Sequence, residues 1–207
     1  MQNTSKKYTY PLFESVAFRL GRFLLKDYHL QRMERSCIAL YGSFNHADIF
    51  DKLPRPTCEN DILYKCRIAY NENDFEVEFG PYVQKDIRTI IVIEANDIDY
   101  SLKYTNRRAI ERLKAAQPEY DEILITQNGF LCDTSIANIV LSKNGKLFTP
   151  DTCLLEGVQR KYLLDQKLVE KRPVQIEELK NYEFILLINA LNGLKDAQKV
   201  FVRNITG

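Results

Sequence analysis

The chain has 207 residues, 45% hydrophobic and 28% charged, and Lys+Arg 29 against Asp+Glu 28 leaves a net charge of +1. That length allows one large or two small domains, and 12 tyrosines with 11 phenylalanines exclude a disordered polymer. The balanced charge excludes a global basic field for nucleic acid or an anionic membrane, so the basic stretches "RKYLLDQK" and "KYTNRR" read as solvated helix faces.

The cysteines, Cys37, Cys58, Cys66, Cys132 and Cys153, are odd in number and form no CxxC pair. This pattern argues against a disulfide framework or a structural zinc site and for a reducing compartment. The N-terminal "MQNTSKKYTY" lacks the apolar centre of a signal peptide, and no apolar run approaches the roughly 18 residues of a membrane span. The expectation is a soluble cytoplasmic protein.

In chain order, "LFESVAF" predicts a strand. "LLKDYHLQRMERSCIALYG" predicts a helix, with Leu30, Met33, Cys37, Ile38 and Leu40 near a 3.6-residue stripe and Gly42 as its stop. "NHADIFDKL" predicts a second helix, ended by "PRP". "ILYKCRIAYNENDFEVEFGPY" reads as two strands around a polar turn, and "RTIIVIEA" as a third, central one. The polar "NDIDYSL" at 96–102 marks a bridge between an N-terminal α/β domain, 1–95, and a second domain, 103–207. After it, "NRRAIERLKAAQ" predicts a helix ending before Pro118. Asn128-Gly129 and Asn144-Gly145 each sit between apolar runs and predict successive hairpins in an antiparallel sheet or barrel wall. "GVQRKYLLDQ" opens a helix after Gly157, and "VQIEELK" reads as a strand end entering a short helix. "YEFILLINALNGL" reads as a buried strand, and "QKVFVRNIT" closes the sheet.

The glycine-rich phosphate loops GxGxxG and GxxxxGK[ST] are absent, as is the GxSxG elbow. His46, in a polar turn, reads as a surface residue, and His29 as a packing or capping residue at a helix start. Neither has the spaced partners of a metal ligand, so no metal is expected. Lys103 and Asp133 remain, with several places that could hold a phosphate. Taken singly each has an ordinary reading. Lys103 is a solvated lysine at a junction, Asp133 a turn residue, Arg32 a snorkelling side chain, and Gly157 the start of a helix whose amides can meet an anion as any helix's can.

Their order resembles the class IV aminotransferase family, the pyridoxal-phosphate enzymes of fold type IV. That family includes branched-chain and D-amino-acid aminotransferases and 4-amino-4-deoxychorismate lyases. "FES…HLQRMERS" resembles the entry strand and His-x-x-Arg-Leu helix, and "KYTNR" resembles the Lys-x-x-Asn-Arg of the lyases. "DTSIANIV" resembles Glu-x-x-x-x-Asn-Leu/Ile-Phe, "FTP…LLEGVQR" resembles Thr-Pro…Leu-x-Gly-x-x-Arg, and "INAL" stands where the last phosphate-contacting loop lies. The departures are Asp133 in place of the usual glutamate, Val140 where an aromatic is common, and a shorter N-terminal region.

The resemblance implies an α+β (α/β) fold of two small domains, each with a mainly antiparallel sheet or barrel and flanking helices. It also implies the cofactor pyridoxal 5′-phosphate. Lys103 would form the Schiff base and shuttle the Cα proton, and Arg107 and Arg108 could help lower its pKa. Asp133 would keep the pyridine nitrogen protonated. Arg32, the amides at Gly157, Val158 and Gln159, and Asn189 with Ala190 would bind the phosphate. Asn138 would buttress the loop presenting Asp133, and Arg67 and Tyr82 would contact substrate. The implied activity is a pyridoxal-phosphate-dependent aminotransferase-like reaction on an amino acid or amino-carboxylate. Two alternatives stand beside it. One is 4-amino-4-deoxychorismate lyase, which eliminates pyruvate to leave 4-aminobenzoate and toward which "KYTNR" leans. The other is a non-catalytic relative that serves as a binding module. The expected partners are a small amino-acid-like substrate and a second copy of the chain in a homodimer.

Overall fold

A computed structural model of the protein describes residues 9–56 and 62–207, so Cys58 and residues 1–8 of the N-terminal stretch lie outside the described residues. Backbone proximity groups the chain up to Tyr82 with Leu102–Arg107 in one unit, and Val83–Ser101 with Arg108–Gly207 in another. The division differs from the expected 1–95, 96–102 and 103–207. The strand at 90–94 pairs only with second-unit strands, and residues 103–105 bond to a first-unit strand.

In the first unit, β1 (Leu12–Arg19), β2 (Arg22–Phe23), β3 (Tyr64–Tyr70) and β4 (Phe75–Pro81) form an antiparallel sheet in the order β2-β1-β3-β4. Strand alternation puts Leu12, Glu14, Val16 and Phe18 on one face of β1, and all four are fully buried. Helix α1 (Lys26–Tyr41) packs against β1, and Met33 and Cys37 share a core with Leu12, Val16, Ile49, Phe50, Ile68 and Tyr70. The second predicted helix is one turn, α2 (Ile49–Lys52), stopped before Pro54.

The buried stripe of α1 is His29, Arg32, Met33, Ser36 and Cys37, the spacing i, i+3, i+4, i+7, i+8 of a helix face. The expected stripe is corrected at two positions: Ile38 and Leu40 are exposed. The face is set by polar residues that a hydrophobic reading passes over. His46 is also corrected. It is buried, its Nε2 lies 2.8 Å from the carbonyl of Asn71, and its ring meets Phe44 and Phe75 edge-on.

The second unit is built on nine strands. They are β5 (Ile90–Glu94), β6 (Glu122–Gln127), β7 (Phe130–Thr134), β8 (Asn138–Lys143), β9 (Lys146–Pro150), β10 (Glu170–Arg172), β11 (Phe184–Ile188), β12 (Gln198–Phe201) and β13 (Ile205–Thr206). Both Asn-Gly turns form with the two central residues at positive φ, Asn128 52° and Gly129 78°, Asn144 51° and Gly145 73°. That is the twist two-residue hairpins require. β5 runs parallel to β6 and β13, and β10 parallel to β9; the other pairings are antiparallel. Helix α3 (Arg108–Ala115) lies in the connection from β5 to β6, as a parallel crossover needs. "VQIEELK" becomes a 3-10 helix, Ile176–Asn181, preceded by a single bridge at Gln175 rather than a strand.

β8 is buried on both faces. Ile139 and Leu141 join the main core with Leu124, Leu131, Ile185 and Val200, whereas Val140 packs with Leu163 of α4 (Val158–Asp165) and with Val169 and Ile188. β11 covers one edge of β8 along Asn138–Ser142. The other edge is shared by β9 and by one residue pair from β7, Asp133 with Asn138. The acid singled out by the sequence therefore stands where a buried strand changes partners.

The β1–β2 turn places Leu20 at φ 50° and Gly21 at φ 73°. A left-handed leucine costs roughly 1–2 kcal/mol, and its side chain is 67% exposed, so burial returns little. Leu20→Asn is expected to stabilise the protein by about 1 kcal/mol, because asparagine tolerates this turn position. Urea unfolding would read this as a higher midpoint with unchanged slope.

Candidate active site

Lys103 stands in the left-handed region at φ 59°. Its segment covers the part of the β1 edge that β2, paired only at Phe18 and Arg19, leaves open. The Phe13 amide donates to the Lys103 carbonyl at 3.2 Å, Leu12 bridges Tyr104, and the Thr105 amide donates to the Pro11 carbonyl at 2.7 Å. The half-buried Lys103 places Nζ 4.7 Å from the centre of the Phe13 ring, and the Arg67 guanidinium lies 4.1 Å from the same ring. Burial pulls the amine down to about 7. Arg32, Arg107 and Arg67 push the same way, and the Glu14 carboxylate opposes them. Near neutral pH a large share of Lys103 is therefore a free amine, the form that attacks a carbonyl carbon.

Arg107 thus takes the part the sequence allowed it. Arg108 is exposed at the start of α3. Tyr82 ends the β3–β4 ladder, its amide donating to the Leu63 carbonyl at 2.8 Å.

The centre of this cluster is Glu14, which a hydrophobic reading of "LFESVAF" misses. Its signal is a carboxylate at an inward position of an apolar strand. His29 Nδ1 lies 2.7 Å from Glu14 Oε2, and Arg32 donates through Nε to Oε1 at 2.8 Å and through Nη2 to Oε2. Both sides of the pair are almost fully buried. Burial alone would raise the Glu14 carboxyl. The charge of Arg32 and the contacts from His29 outweigh it and hold the group far below the usual carboxylate range. Burial lowers His29 in turn. The fork of Arg32, expected to clamp a phosphate, is thus engaged by Glu14 along Nε and Nη2.

In the second unit, Asp133 accepts from Asn138 Nδ2 at 2.7 Å on Oδ1 and from the Leu155 amide at 3.0 Å on Oδ2. Asn138 also donates to the Leu155 carbonyl at 2.9 Å. Burial raises the Asp133 carboxyl to about 6, against the lowering pull of Asn138, the Leu155 amide and Arg160. Arg160 is itself buried and ties α4 to the end of β9 through Thr149 Oγ1 at 3.3 Å and the Pro150 carbonyl at 2.7 Å. The Leu154 amide lowers the Asp133 carboxyl as well, and three donors still leave the carboxylate room for a further one, since each oxygen can accept twice.

Gly157 begins α4 in an extended conformation, and no described side chain caps the helix, so the amides of Val158 and Gln159 lack intrahelical partners. A Cβ at Gly157 would stand 1.9 Å from Asn138 Oδ1, and one at Gly193 would meet Gln159 Nε2 at 3.5 Å. The helix start is therefore packed on Asn138 on one side and beside the loop after β11 on the other. Asn189 organises that loop. It accepts from the Leu191 and Asn192 amides at 2.9 and 3.1 Å and donates to the Ile136 carbonyl at 3.3 Å, with Ala190 half-buried in the same turn. The Asn189 side chain is committed to shaping the loop.

A family of amino-transferases, class IV, matches residues 11–200, and the chain belongs to it. A solved structure from Haemophilus somnus 129PT, provisionally named 4-amino-4-deoxychorismate lyase, is 38% identical with a TM-score of 0.81, over 90% of this chain and 99% of that one. A protein of Schizosaccharomyces pombe, provisionally named aminodeoxychorismate lyase, is 29% identical over 86% of this chain and 85% of its own length. A Thermotoga maritima protein, named with less than certainty as a branched-chain-amino-acid aminotransferase, is 27% identical over 72% of this chain and 60% of its own. The family's enzymes use pyridoxal phosphate.

The residues present fit that cofactor. In the first unit, a lysine amine with a pKa brought near neutrality suits an aldehyde; in the second, taken by itself, a buried carboxylate with accepting capacity left and an uncapped helix start on a glycine suit a ring nitrogen and a phosphate. Among the described residues no cluster of three or more His, Cys, Asp or Glu side chains could hold a metal. No helix among them is long and apolar enough to cross a membrane.

Gly157→Ala is expected to destabilise the protein by about 1–3 kcal/mol through overpacking against Asn138. In Gly157→Ala/Asn138→Ala, denaturant unfolding should show less than the sum of the single effects, because the clash is gone. Glu14→Leu takes the countercharge away from the buried Arg32 and His29 and is expected to cost about 3–5 kcal/mol, measured the same way.

Proposed function

We propose that this chain uses Lys103 to hold pyridoxal phosphate and to move the proton at the Cα of an amino-carboxylate. The observation that carries the reading is the Lys103 amine, brought to about 7 by burial and by three arginines. Bound pyridoxal phosphate supplies an electron sink for the charge left at Cα. Asp133, ionised above about 6, accepts the proton-bearing ring nitrogen and so favours that charge. Asn138 holds Asp133 in place from the side. Arg32 supplies positive charge for the phosphate, and the Val158 and Gln159 amides supply donors at a helix start. Arg67 and Tyr82 are the proposed contacts to substrate, Arg67 as a carboxylate partner.

Two outcomes follow from the same proton removal. β-Elimination, as in the aminodeoxychorismate lyases, is favoured by "KYTNR" and by the likeness at 38% identity to a structure bearing that name. Transamination is favoured by the family match and by the Thermotoga maritima relative. Release of 4-aminobenzoate from aminodeoxychorismate, set against 2-oxoglutarate-dependent turnover of branched-chain and other amino acids, decides between them. A protein that stays colourless with added pyridoxal phosphate, and that borohydride does not label at Lys103, would sink both. A homodimer belongs to this reading and is checked by sedimentation equilibrium.

Lys103→Met is expected to lower turnover by at least about 10²–10⁴-fold, the share a positioned proton carrier supplies. It also changes stability. Between pH 7 and the ordinary lysine value of 10.5, the unfolded chain binds the Lys103 proton and the folded chain does not, so this residue makes stability rise with pH across that window. The cofactor-free variant is expected to be more stable than the parent near pH 7, with the gap closing toward pH 10.5. Thermal unfolding over that range reads it.

A further inference from the structure

Glu14 does more than neutralise Arg32. Because it stays ionised, its carboxylate only accepts, and so His29 Nδ1 must carry the hydrogen facing it at 2.7 Å. In the neutral ring this leaves Nε2 with a bare lone pair. That nitrogen is fully buried and has no hydrogen-bond partner among the described residues. A buried polar atom without a partner costs roughly 1–3 kcal/mol, and folding tolerates such atoms where a ligand completes them. The charges that bear on His29 come from three directions: Glu14 on β1, Arg32 one turn along the same face of α1, and Lys103 on the segment beside β1. Arg32 is a permanent cation and Lys103 adds positive charge whenever it is protonated, so an entering anion is favoured here and a cation is not.

We propose that His29 is a direct partner of the cofactor's phosphate: Glu14 fixes the ring, Nε2 meets a phosphate oxygen, and one proton is taken from solvent as the anion binds. This rests on the reading that the cofactor's phosphate is held at Arg32. The proton balance is simple. A dianionic oxygen and a bare nitrogen both only accept, so they form a hydrogen bond only once a proton from water lies between them. No bond is broken beyond that transfer. The added negative charge makes the transfer favourable at a pH where the ring in the cofactor-free protein is neutral.

His29 and His46 are the two histidines of the chain, and His46 is an internal control with Nε2 already at the Asn71 carbonyl. The test is imidazole nitrogen NMR of the full chain at pH 8, titrated with pyridoxamine 5′-phosphate, which cannot condense with Lys103. The His29 Nε2 signal is expected to move from the lone-pair to the protonated position while that of His46 stays. In His29→Asn the amide can still donate to Glu14 as Nδ1 does, but nothing replaces Nε2. Parent affinity should fall about tenfold further per pH unit than that of this variant above pH 7, as a one-proton linkage requires. Calorimetric binding in buffers of different ionisation enthalpy should show one proton fewer taken up by the variant. Binding with an unmoved His29 signal, or equal proton uptake in parent and variant, overturns the inference and leaves the proposed function standing. Absence of any binding at millimolar ligand overturns both.

Discussion

A single buried carboxylate organises the first unit. Glu14 sits on the inward face of β1, where strand alternation otherwise calls for an apolar side chain, and it is accommodated because α1 brings His29 and Arg32 to the same point. Ionised groups leave water at a penalty of several kcal/mol each, and only near-complete pairing repays it. Two guanidinium bonds and one imidazole contact do so here. The side chains that complete the pair also fix the register of α1 on the sheet, so the charge cluster and the packing of Met33 and Cys37 are one arrangement. Lys103 then experiences a field set by residues already locked in place.

The second unit solves a related problem with uncharged groups. Asp133 has no cation bonded to it among the described contacts; it is held by an amide side chain and the backbone amides of Leu154 and Leu155, with Arg160 acting from farther off. Weaker compensation leaves its carboxyl raised, whereas Glu14 is driven down. The two acids therefore differ in their suitability for chemistry. Glu14 is inert in protonation and serves as a fixed charge, and Asp133 lies close enough to neutrality to respond to a ring nitrogen. Lys103 and Asp133 are each displaced by burial toward the neutral form, which disfavours folding slightly and is what reactive groups require.

The elements that a sequence shows best are those with local causes. The two Asn-Gly hairpins are legible because positive φ at both central positions restricts the residue choice, and Gly42 as helix stop is legible for the same reason at φ 80°. The stripe of α1 was only partly legible, because its buried face is three-fifths polar and the rule for finding it counts hydrophobic residues. The polar neighbours of His46 point to exposure, yet it is buried by Phe44 and Phe75, the second 29 positions away and brought in by β4. Lys103, Asp133 and Arg32 are singled out by motif order. Glu14 and the role of His29 are not, since their meaning lies in a contact across 15 residues that no local pattern announces. The division into units has no local signature, because the chain passes between them more than once.

That crossing has a consequence for how the protein can be taken apart. Residues 102–107 belong with the part of the chain that precedes Val83, although 83–101 do not. A fragment ending at Tyr82 would expose the β1 edge at Leu12 and Phe13, stripped of the backbone partners that 103–105 provide, and an unpaired edge invites association with other chains. No single cut yields both halves intact, so dissection by truncation would report on sticky fragments, and a linker replacing 83–101 would be the cleaner way to isolate the first half.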